Sequence, residues 1–362
     1  MESPWLASQS ASASFPIDPT PSPTPLLPIL PGWQVIDLAI DGDGYVYSIA
    51  ESDLGWVAVG TGPTGPGTHA IWFSVDGVSW SQVADVPNRN GGLYDVIVGG
   101  PGFVAFGNNA DIDFGAPFAW TSSDGQHWVE TDLNAAGAYG LIRGATQLDG
   151  QLLAGGGLMG ANGPDYGPPA VWRSTDGVHW TQSLLDANGV EGADALAPVE
   201  FAGKLTTLAS GYHPQVGRVW QSVDGVTWQL QPDDPIWVNA SLWDVAVFAD
   251  RLVVVGNVSQ DESYTGRPVI WTSEDAQTWT MQDLGPCCAG IRWVIEYGGG
   301  GLAFGDTVVY SSADGLRWDL AGTIANFHGQ IVKLVNTRTY GPAAIGQLTD
   351  GSVLLIPPLP VP

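Results

Sequence analysis

The sequence predicts an all-β protein, a seven-bladed β-propeller of four-stranded antiparallel blades. Two observations predict this fold. A tryptophan-flanked turn motif recurs about every fifty residues, and no segment shows the 3.6-residue periodicity of a helix. The composition agrees, because 44% of the 362 residues are hydrophobic, 13% are charged and 49 are glycine. Such a balance is typical of a folded β-rich chain and argues against an acidic disordered one.

The motif occurs six times without gaps. The copies are WFSVDGVSW (72–80), WTSSDGQHW (120–128), WRSTDGVHW (172–180), WQSVDGVTW (220–228), WTSEDAQTW (271–279) and YSSADGLRW (310–318). Their aspartates are 48, 52, 48, 51 and 39 residues apart. Two strand-like runs precede each copy, for example LYDVIVGG (93–100) and GFVAFG (102–107). Each unit therefore predicts four strands, which we call a to d from the centre to the rim, with the motif joining c to d.

The two ends of the chain complement each other. Residues 330–335, 340–346 and 352–356 predict strands a, b and c with no strand d after them. Near the other end, residues 32–35 resemble 79–82, where a strand d begins. We therefore expect a seventh blade built from both termini, which closes the ring and removes exposed strand edges. Seven blades also match the spacing, at about 47 residues each; six and eight blades remain alternatives.

The repeated motif has the chemistry of a tight turn. An aspartate can accept bonds from backbone N–H groups in the turn, serine can bond across it, and the glycine permits positive φ. The tryptophan is expected to pack between neighbouring sheets. We assign a structural role to six aspartates because identical acids on six blades cannot converge on one substrate. They are Asp76, Asp124, Asp176, Asp224, Asp275 and Asp314.

This motif resembles the Asp-box, or bacterial neuraminidase repeat, of sialidase-like and sortilin-like β-propellers. The family pattern is S-x-D-x-G-x-x-W; the copies here are one residue shorter, and Ala276 once replaces the glycine. The family includes glycosidases, receptors and assembly factors, so the resemblance implies a fold more than an activity.

For a sialidase, the resemblance implies an arginine triad, a Tyr–Glu nucleophile pair and an aspartic acid. The F/Y-R-I-P segment that normally carries the first arginine is missing, and no arginine precedes Arg89. Arg143, Arg267 and Arg292 could converge, but Glu296 and Tyr297 lie toward the far end of their strand a. We assign no catalytic residue and keep a sialidase-like hydrolase as an alternative.

The loop-rich face is the expected binding surface. On the face that carries the motif, the turns are short and uniform. On the opposite, loop-rich face, the b–c and d–a connections vary in length and composition. Residues that open each strand a should surround the mouth of the central channel. Those predicted to bind a ligand are Tyr94, Arg143, Trp243, Asp244, Arg292 and Trp293. Aromatic faces with Arg and Asp suit a sugar or a polar peptide; the alternative is that they line a wet channel.

We predict no cofactor and no metal site. Asp41 with Asp43, and Asp111 with Asp113, could each contribute to a Ca²⁺ site, but neither pair matches a full calcium loop. Cys287 and Cys288 are adjacent, so they either form a vicinal disulfide in an oxidising compartment or remain free.

Residues 1–31 form a predicted disordered Ser/Pro-rich spacer, and residues 32–362 form the propeller. Such spacers commonly follow an export signal or a lipid-modified cysteine, so we expect an extracellular or cell-envelope location, with or without a lipid anchor. The alternative is a cytosolic protein with a flexible tail. A net charge of −26 argues against nucleic acid and anionic membrane surfaces as partners, and no apolar run could span a bilayer.

The prediction is therefore a monomeric, non-catalytic module that binds a glycan or protein partner through its loop-rich face. The alternatives are the sialidase-like glycoside hydrolase and a structural or assembly-factor propeller.

Overall fold

The molecule is a seven-bladed β-propeller of four-stranded antiparallel blades, as the repeats predict. The computed structural model describes residues 28–40, 44–62, 68–83, 91–109, 115–133, 139–159, 166–212, 214–248, 250–259, 266–285 and 290–358. Within those ranges the one helical element is a single 3₁₀ turn, Pro235–Trp237. Strands a of neighbouring blades contact one another around the central channel.

Six blades follow the chain order, each with its strands in the order a to d. Blade 1 contains Tyr45–Ser52, Gly55–Thr61, His69–Ser74 and Ser81–Gln82. Blade 2 contains Gly91–Gly99, Gly102–Asn109, Ala116–Ser122 and Val129–Asp132. Blade 3 contains Tyr139–Leu148, Gln151–Met159, Tyr166–Ser174 and Thr181–Leu184. Blade 4 contains a split strand a (Asp194–Ala195 and Val199–Phe201), then Lys204–Tyr212, Gln215–Ser222 and Gln229–Leu230. Blade 5 contains Ala240–Phe248, Arg251–Val258, Arg267–Ser273 and Thr280–Asp283. Blade 6 contains Ile291–Tyr297, Gly300–Gly305, Val309–Ser312 and Asp319–Ile324.

The seventh blade combines both ends of the propeller. Its strands a to c are Gln330–Thr337, Gly341–Leu348 and Gly351–Ile356, and its strand d is Gln34–Asp37. Strand d runs antiparallel to strand c, with Gln34 opposite Ile356 and Asp37 opposite Val353. The predicted closure of the ring by the two terminal segments is confirmed.

A short additional strand lies at the rim of blade 6. Ile29–Leu30 runs parallel to strand d of that blade, with Ile29 opposite Thr323. These two residues belong to the range predicted as spacer, so the chain contacts the propeller slightly before residue 32. Residues 1–27 of the predicted spacer lie outside the described residues.

The six motif turns share the same bonds to the aspartate, which blade 3 illustrates. Asp176 Oδ1 accepts bonds from the backbone N–H groups of Val178 and His179, at 2.9 and 2.8 Å. Ser174 Oγ donates to Asp176 Oδ1 at 3.1 Å and accepts from the Gly177 N–H at 2.9 Å. The Trp180 indole N–H then donates to the Gly177 carbonyl at 2.9 Å. The carboxylate thus accepts bonds from backbone N–H groups that have no partner in a neighbouring strand.

The turns also hold neighbouring blades together. Phe106 of blade 2 meets the Trp180 ring edge to face, with 5.5 Å between centroids, and Phe248 of blade 5 meets Trp318 of blade 6 at 6.0 Å. The motif glycine presses against the preceding blade: a Cβ on Gly125 would lie 2.5 Å from the Phe73 ring. Gly125 also has a φ of +76°, so the position excludes side chains for two reasons.

Candidate functional site

Strand a is bulged at the same place in six of the seven blades. The bulges lie between Val46 and Ser48, Leu93 and Asp95, Ile142 and Gly144, Leu242 and Asp244, Ile291 and Trp293, and Ile331 and Lys333. The inserted residues are Tyr47, Tyr94, Arg143, Trp243, Arg292 and Val332. A bulge interrupts the alternation of a strand, so consecutive side chains can face the same side. Blade 4 differs, because its strand a is split between Ala195 and Val199.

All six inserted residues line one of two adjoining cavities at the centre of the propeller. We call the first the acidic cavity: it has a volume of about 430 Å³ and is lined by Asp95, Asp194, Trp243 and Asp244. We call the second the tyrosine cavity: it has a volume of about 420 Å³ and is lined by Tyr45, Tyr47, Tyr94 and Gln330. Arg143, Arg292, Trp293 and Lys333 line both.

The cavities lie on the loop-rich face. Asn108, Ser210 and Asp306, at or just beyond the ends of strands b, line them together with the first half of strands a. All six residues predicted to bind a ligand therefore surround one opening: Tyr94 in the tyrosine cavity, Trp243 and Asp244 in the acidic cavity, and Arg143, Arg292 and Trp293 in both. Their part in binding remains a prediction.

Each of the three cations in the shared wall faces a carboxylate. Arg143 Nη2 lies 2.9 Å from Asp194 Oδ2, which joins blades 3 and 4. Arg292 Nε lies 3.3 Å from Asp306 Oδ1 within blade 6. The Lys333 ammonium of blade 7 pairs with Asp95 of blade 2. The positive charges of the wall are therefore matched by negative ones.

Asp95 and Asp244 occupy equivalent places, directly after the bulges of blades 2 and 5, and connect blades. Asp95 accepts bonds from the N–H groups of Val96 and of Ala145 in blade 3, at 2.9 and 2.8 Å. Asp244 accepts bonds from the N–H groups of Val245 and of Val294 in blade 6, at 2.9 and 3.0 Å. Burial raises the pKa of Asp244 to about 7, although the two N–H bonds favour its ionised form. Asp244 thus has a structural task besides lining the cavity.

Aromatic side chains present faces on both sides of the opening. The Arg292 guanidinium lies 5.2 Å from the centroid of the Trp243 ring, a cation–π contact. The rings of Tyr45 and Tyr47 are 4.7 Å apart, and those of Tyr47 and Tyr94 are 5.5 Å apart. Burial raises the pKa of all three tyrosines, so the phenols stay neutral at ordinary pH. Neutral phenols can both donate and accept hydrogen bonds.

Sequence reasoning missed Tyr45, Tyr47 and Lys333. The first two belong to a strand a whose neighbourhood, DGDGYVYS, contains too many turn residues to stand out as a strand. Lys333 was within a predicted strand a, but its direction depends on the bulge after Ile331. Comparison of each strand a with the glycine two residues before the end of strand b could have found it, because the residue after the bulge pairs with the residue before that glycine.

The residues considered for a sialidase do not come together. Arg143 and Arg292 line the same cavities, but Arg267 begins strand c of blade 5, where its Nη1 lies 2.9 Å from Asp283 Oδ2. Glu296 and Tyr297 end strand a of blade 6 and line neither cavity, as expected from their position.

Several predicted features fall outside the described residues: the pairs Asp41 with Asp43 and Asp111 with Asp113, and the adjacent Cys287 and Cys288. Across the described ranges, no group of three His, Cys, Asp or Glu side chains is placed to hold a metal ion. Nor does that part of the chain contain a helix of the length and apolarity needed to cross a membrane.

The fold and the central cavities define the class of this protein, a seven-bladed β-propeller with an opening on its loop-rich face. No protein-family model matches the chain. No curated protein matches it either.

Several solved structures resemble the chain at low sequence identity. The Dos1 propeller is 10% identical, with 91% of this chain and 95% of that one covered and a TM-score of 0.52. An α-L-arabinanase from Penicillium chrysogenum, complexed with arabinobiose, is 13% identical over 70% of this chain and 88% of its own, with a TM-score of 0.46. The six-bladed Aleuria aurantia lectin is 11% identical over 78% and 98%, with a TM-score of 0.47. The likeness to the Dos1 propeller supports the β-propeller fold and no activity.

Proposed function

We propose that this protein is a monomeric, exported or surface-tethered β-propeller of the Asp-box type, which binds a glycan in its central cavities without cleaving it. One observation carries the proposal: five of the six bulge residues bring tyrosine, tryptophan and arginine side chains to the two cavities. The Ser/Pro-rich first thirty residues and the acidic composition support an extracellular or envelope location.

The lining suits a saccharide for chemical reasons. Sugar rings present apolar C–H faces that pack on aromatic rings, while their hydroxyl groups donate to carboxylates and accept from arginine. The Tyr47–Tyr94 pair and Trp243 provide such faces, and Asp194 and Arg292 provide charged hydrogen-bonding groups beside them. Volumes of about 430 and 420 Å³ lie within the range of small-molecule sites.

The bonding of the carboxylates supports binding rather than catalysis. Both oxygens of Asp95 and of Asp244 accept backbone N–H bonds, and one oxygen each of Asp194 and Asp306 pairs with an arginine. A general acid or nucleophile needs an oxygen available to the substrate. One observation favours the alternative, a glycoside hydrolase: Asp244, with a pKa near 7, could supply a proton in a cavity that also contains Asp95.

A glycan array probed with the purified chain, with and without Ca²⁺, tests the proposal. We expect a saccharide ligand whose binding is lost in Tyr94→Ala and in Trp243→Ala. Tyr340→Ala is the matched control, because Tyr340 is a partly buried aromatic residue in an a–b turn on the opposite face.

The same sample should leave fluorogenic glycosides, including a sialoside, intact. Release of the fluorophore, abolished by Asp244→Asn, would favour the hydrolase instead. If no saccharide on the array binds and the chain captures a protein from the native cell envelope, the glycan proposal is overturned in favour of a protein partner.

A further inference from the structure

The central opening consists of two compartments of nearly equal volume and different chemistry. The acidic cavity is lined mainly by blades 3 to 5, and the tyrosine cavity is lined mainly by blades 7, 1 and 2. Arg143 of blade 3 and Arg292 of blade 6 stand at the boundary on opposite sides of the ring and line both. One continuous ligand could therefore contact both compartments.

Each compartment has its own means of holding a ring. In the tyrosine cavity, three phenol rings lie in a row, with centroids 4.7 and 5.5 Å apart, beside Asn108 and Gln330. In the acidic cavity, Trp243 is the large aromatic residue, and Asp194, Ser210 and Ser241 supply polar atoms around it. One compartment would be enough to stack a single sugar ring. Two compartments therefore indicate a ligand with more than one ring.

The shared wall is suited to the linkage between two rings. The Arg292 side chain is 51% exposed, and its Nε lies 3.3 Å from Asp306 Oδ1. Guanidinium N–H groups at the boundary can donate to a bridging oxygen and to the hydroxyls on either side of it. The Trp243 face beneath Arg292 keeps that side chain in place.

We propose that the ligand is an oligosaccharide of at least two sugar residues, one in each cavity, with its glycosidic linkage across the Arg292 boundary. This inference rests on the proposed function and specifies the ligand class of the same site. A monosaccharide would occupy one compartment only and would leave half of the aromatic surface uncovered.

Calorimetry with a length series tests the two-compartment site. The probes are the mono-, di- and trisaccharides of β-1,4-linked glucose, xylose and mannose, together with the same series of any array ligand. We expect a disaccharide to bind at least about tenfold more tightly than its monosaccharide, which is about 1.4 kcal/mol. Equal affinity of monosaccharide and disaccharide would overturn this inference while leaving glycan binding intact. No binding of any probe or array saccharide would overturn the proposed function itself.

Variants separate the compartments. Tyr94→Ala alters the tyrosine cavity and Trp243→Ala the acidic cavity, and each should reduce the disaccharide's advantage to less than about threefold. Only the variant in the compartment that a monosaccharide prefers should also weaken monosaccharide binding. A disaccharide whose affinity depends on one of the two aromatic residues alone would contradict the spanning mode. Tyr47→Ala serves as a second tyrosine-cavity variant if Tyr94→Ala does not fold, and Tyr340→Ala should change nothing.

Discussion

The pKa of the turn aspartates and the pKa of Asp244 in the channel are shifted in opposite directions. In the turns, backbone N–H bonds lower the carboxyl pKa, to about 2 for Asp76 and Asp224. In the channel, burial outweighs two such bonds and raises the pKa of Asp244 to about 7. Backbone N–H bonds favour the ionised form in both places, but at Asp244 the cost of burial exceeds their effect on the pKa.

Carbon-detected NMR titration of the aspartate carboxyl groups should distinguish Asp244 from the turn aspartates. We expect a midpoint near pH 7 for Asp244 and near pH 2 for Asp224. The lowered pKa of Asp224 means that its contribution to stability is present above about pH 4 and is lost as the pH falls toward 2. The pKa of Asp244 is shifted in the opposite direction, so the contribution of Asp244 to stability is present below about pH 4 and is lost as the pH rises through 7. A midpoint below pH 5 for Asp244 would contradict this account of the channel.

The second tryptophan of the motif is a packing residue. Trp128 is 9% exposed, and its indole N–H donates to the Gly125 carbonyl at 3.0 Å. Trp128→Ala should lower the free energy of unfolding by about 3–5 kcal/mol, measured by denaturant titration. Gln126→Ala, an exposed position in the same turn, is the control and should stay within about 0.5 kcal/mol of the parent. A stability of Trp128→Ala equal to that of the control would contradict the packing role.

At the scale of elements, the sequence predicted the c–d turn far better than strand a. The turn depends on contacts within nine residues, such as Ser174 with Asp176 and Trp180 with Gly177, so its pattern recurs in the sequence. A bulge depends on how strand a pairs with strand b, and no local pattern marks it. The blades and their closure were therefore predictable, whereas Tyr47 and Lys333 came to the cavities through a register shift that depends on the pairing of two strands.

Glycine in the turn has two functions, which a pair of variants can separate. Gly125 and Gly150 have nearly equal φ values, +76° and +75°, but a Cβ at Gly125 would lie 2.5 Å from Phe73, whereas Gly150 has nothing within 4 Å. Gly150→Ala should cost about 1–2 kcal/mol for the backbone alone. Gly125→Ala should cost about 1–3 kcal/mol more, because blades 1 and 2 must move apart. Equal losses in thermal and denaturant unfolding would show that the contact between blades contributes little.

At the scale of the whole molecule, the ring depends on one short rim strand. Only four residues, Gln34–Asp37, complete blade 7, and they join the chain's two ends. Without them strand c of that blade would be an exposed edge, which can pair with another chain. The propeller should therefore be sensitive to changes in a segment that is largely exposed and lines neither of the two central cavities.

Proline scanning of this strand tests the closure at adjacent positions. The Leu38 N–H donates to the Ser352 carbonyl at 3.1 Å, and Ile36, two residues earlier and opposite Leu354, directs its N–H to the same side. Ile36→Pro removes a bond to strand c and should cost about 3 kcal/mol. The N–H of Val35 points away from the sheet, so Val35→Pro should be tolerated at this edge. We expect Ile36→Pro alone to lower the melting temperature and to form oligomers in light scattering, since it frees the edge of blade 7. Equal behaviour of the two variants would mean that the ring is held closed by contacts between blades rather than by strand d.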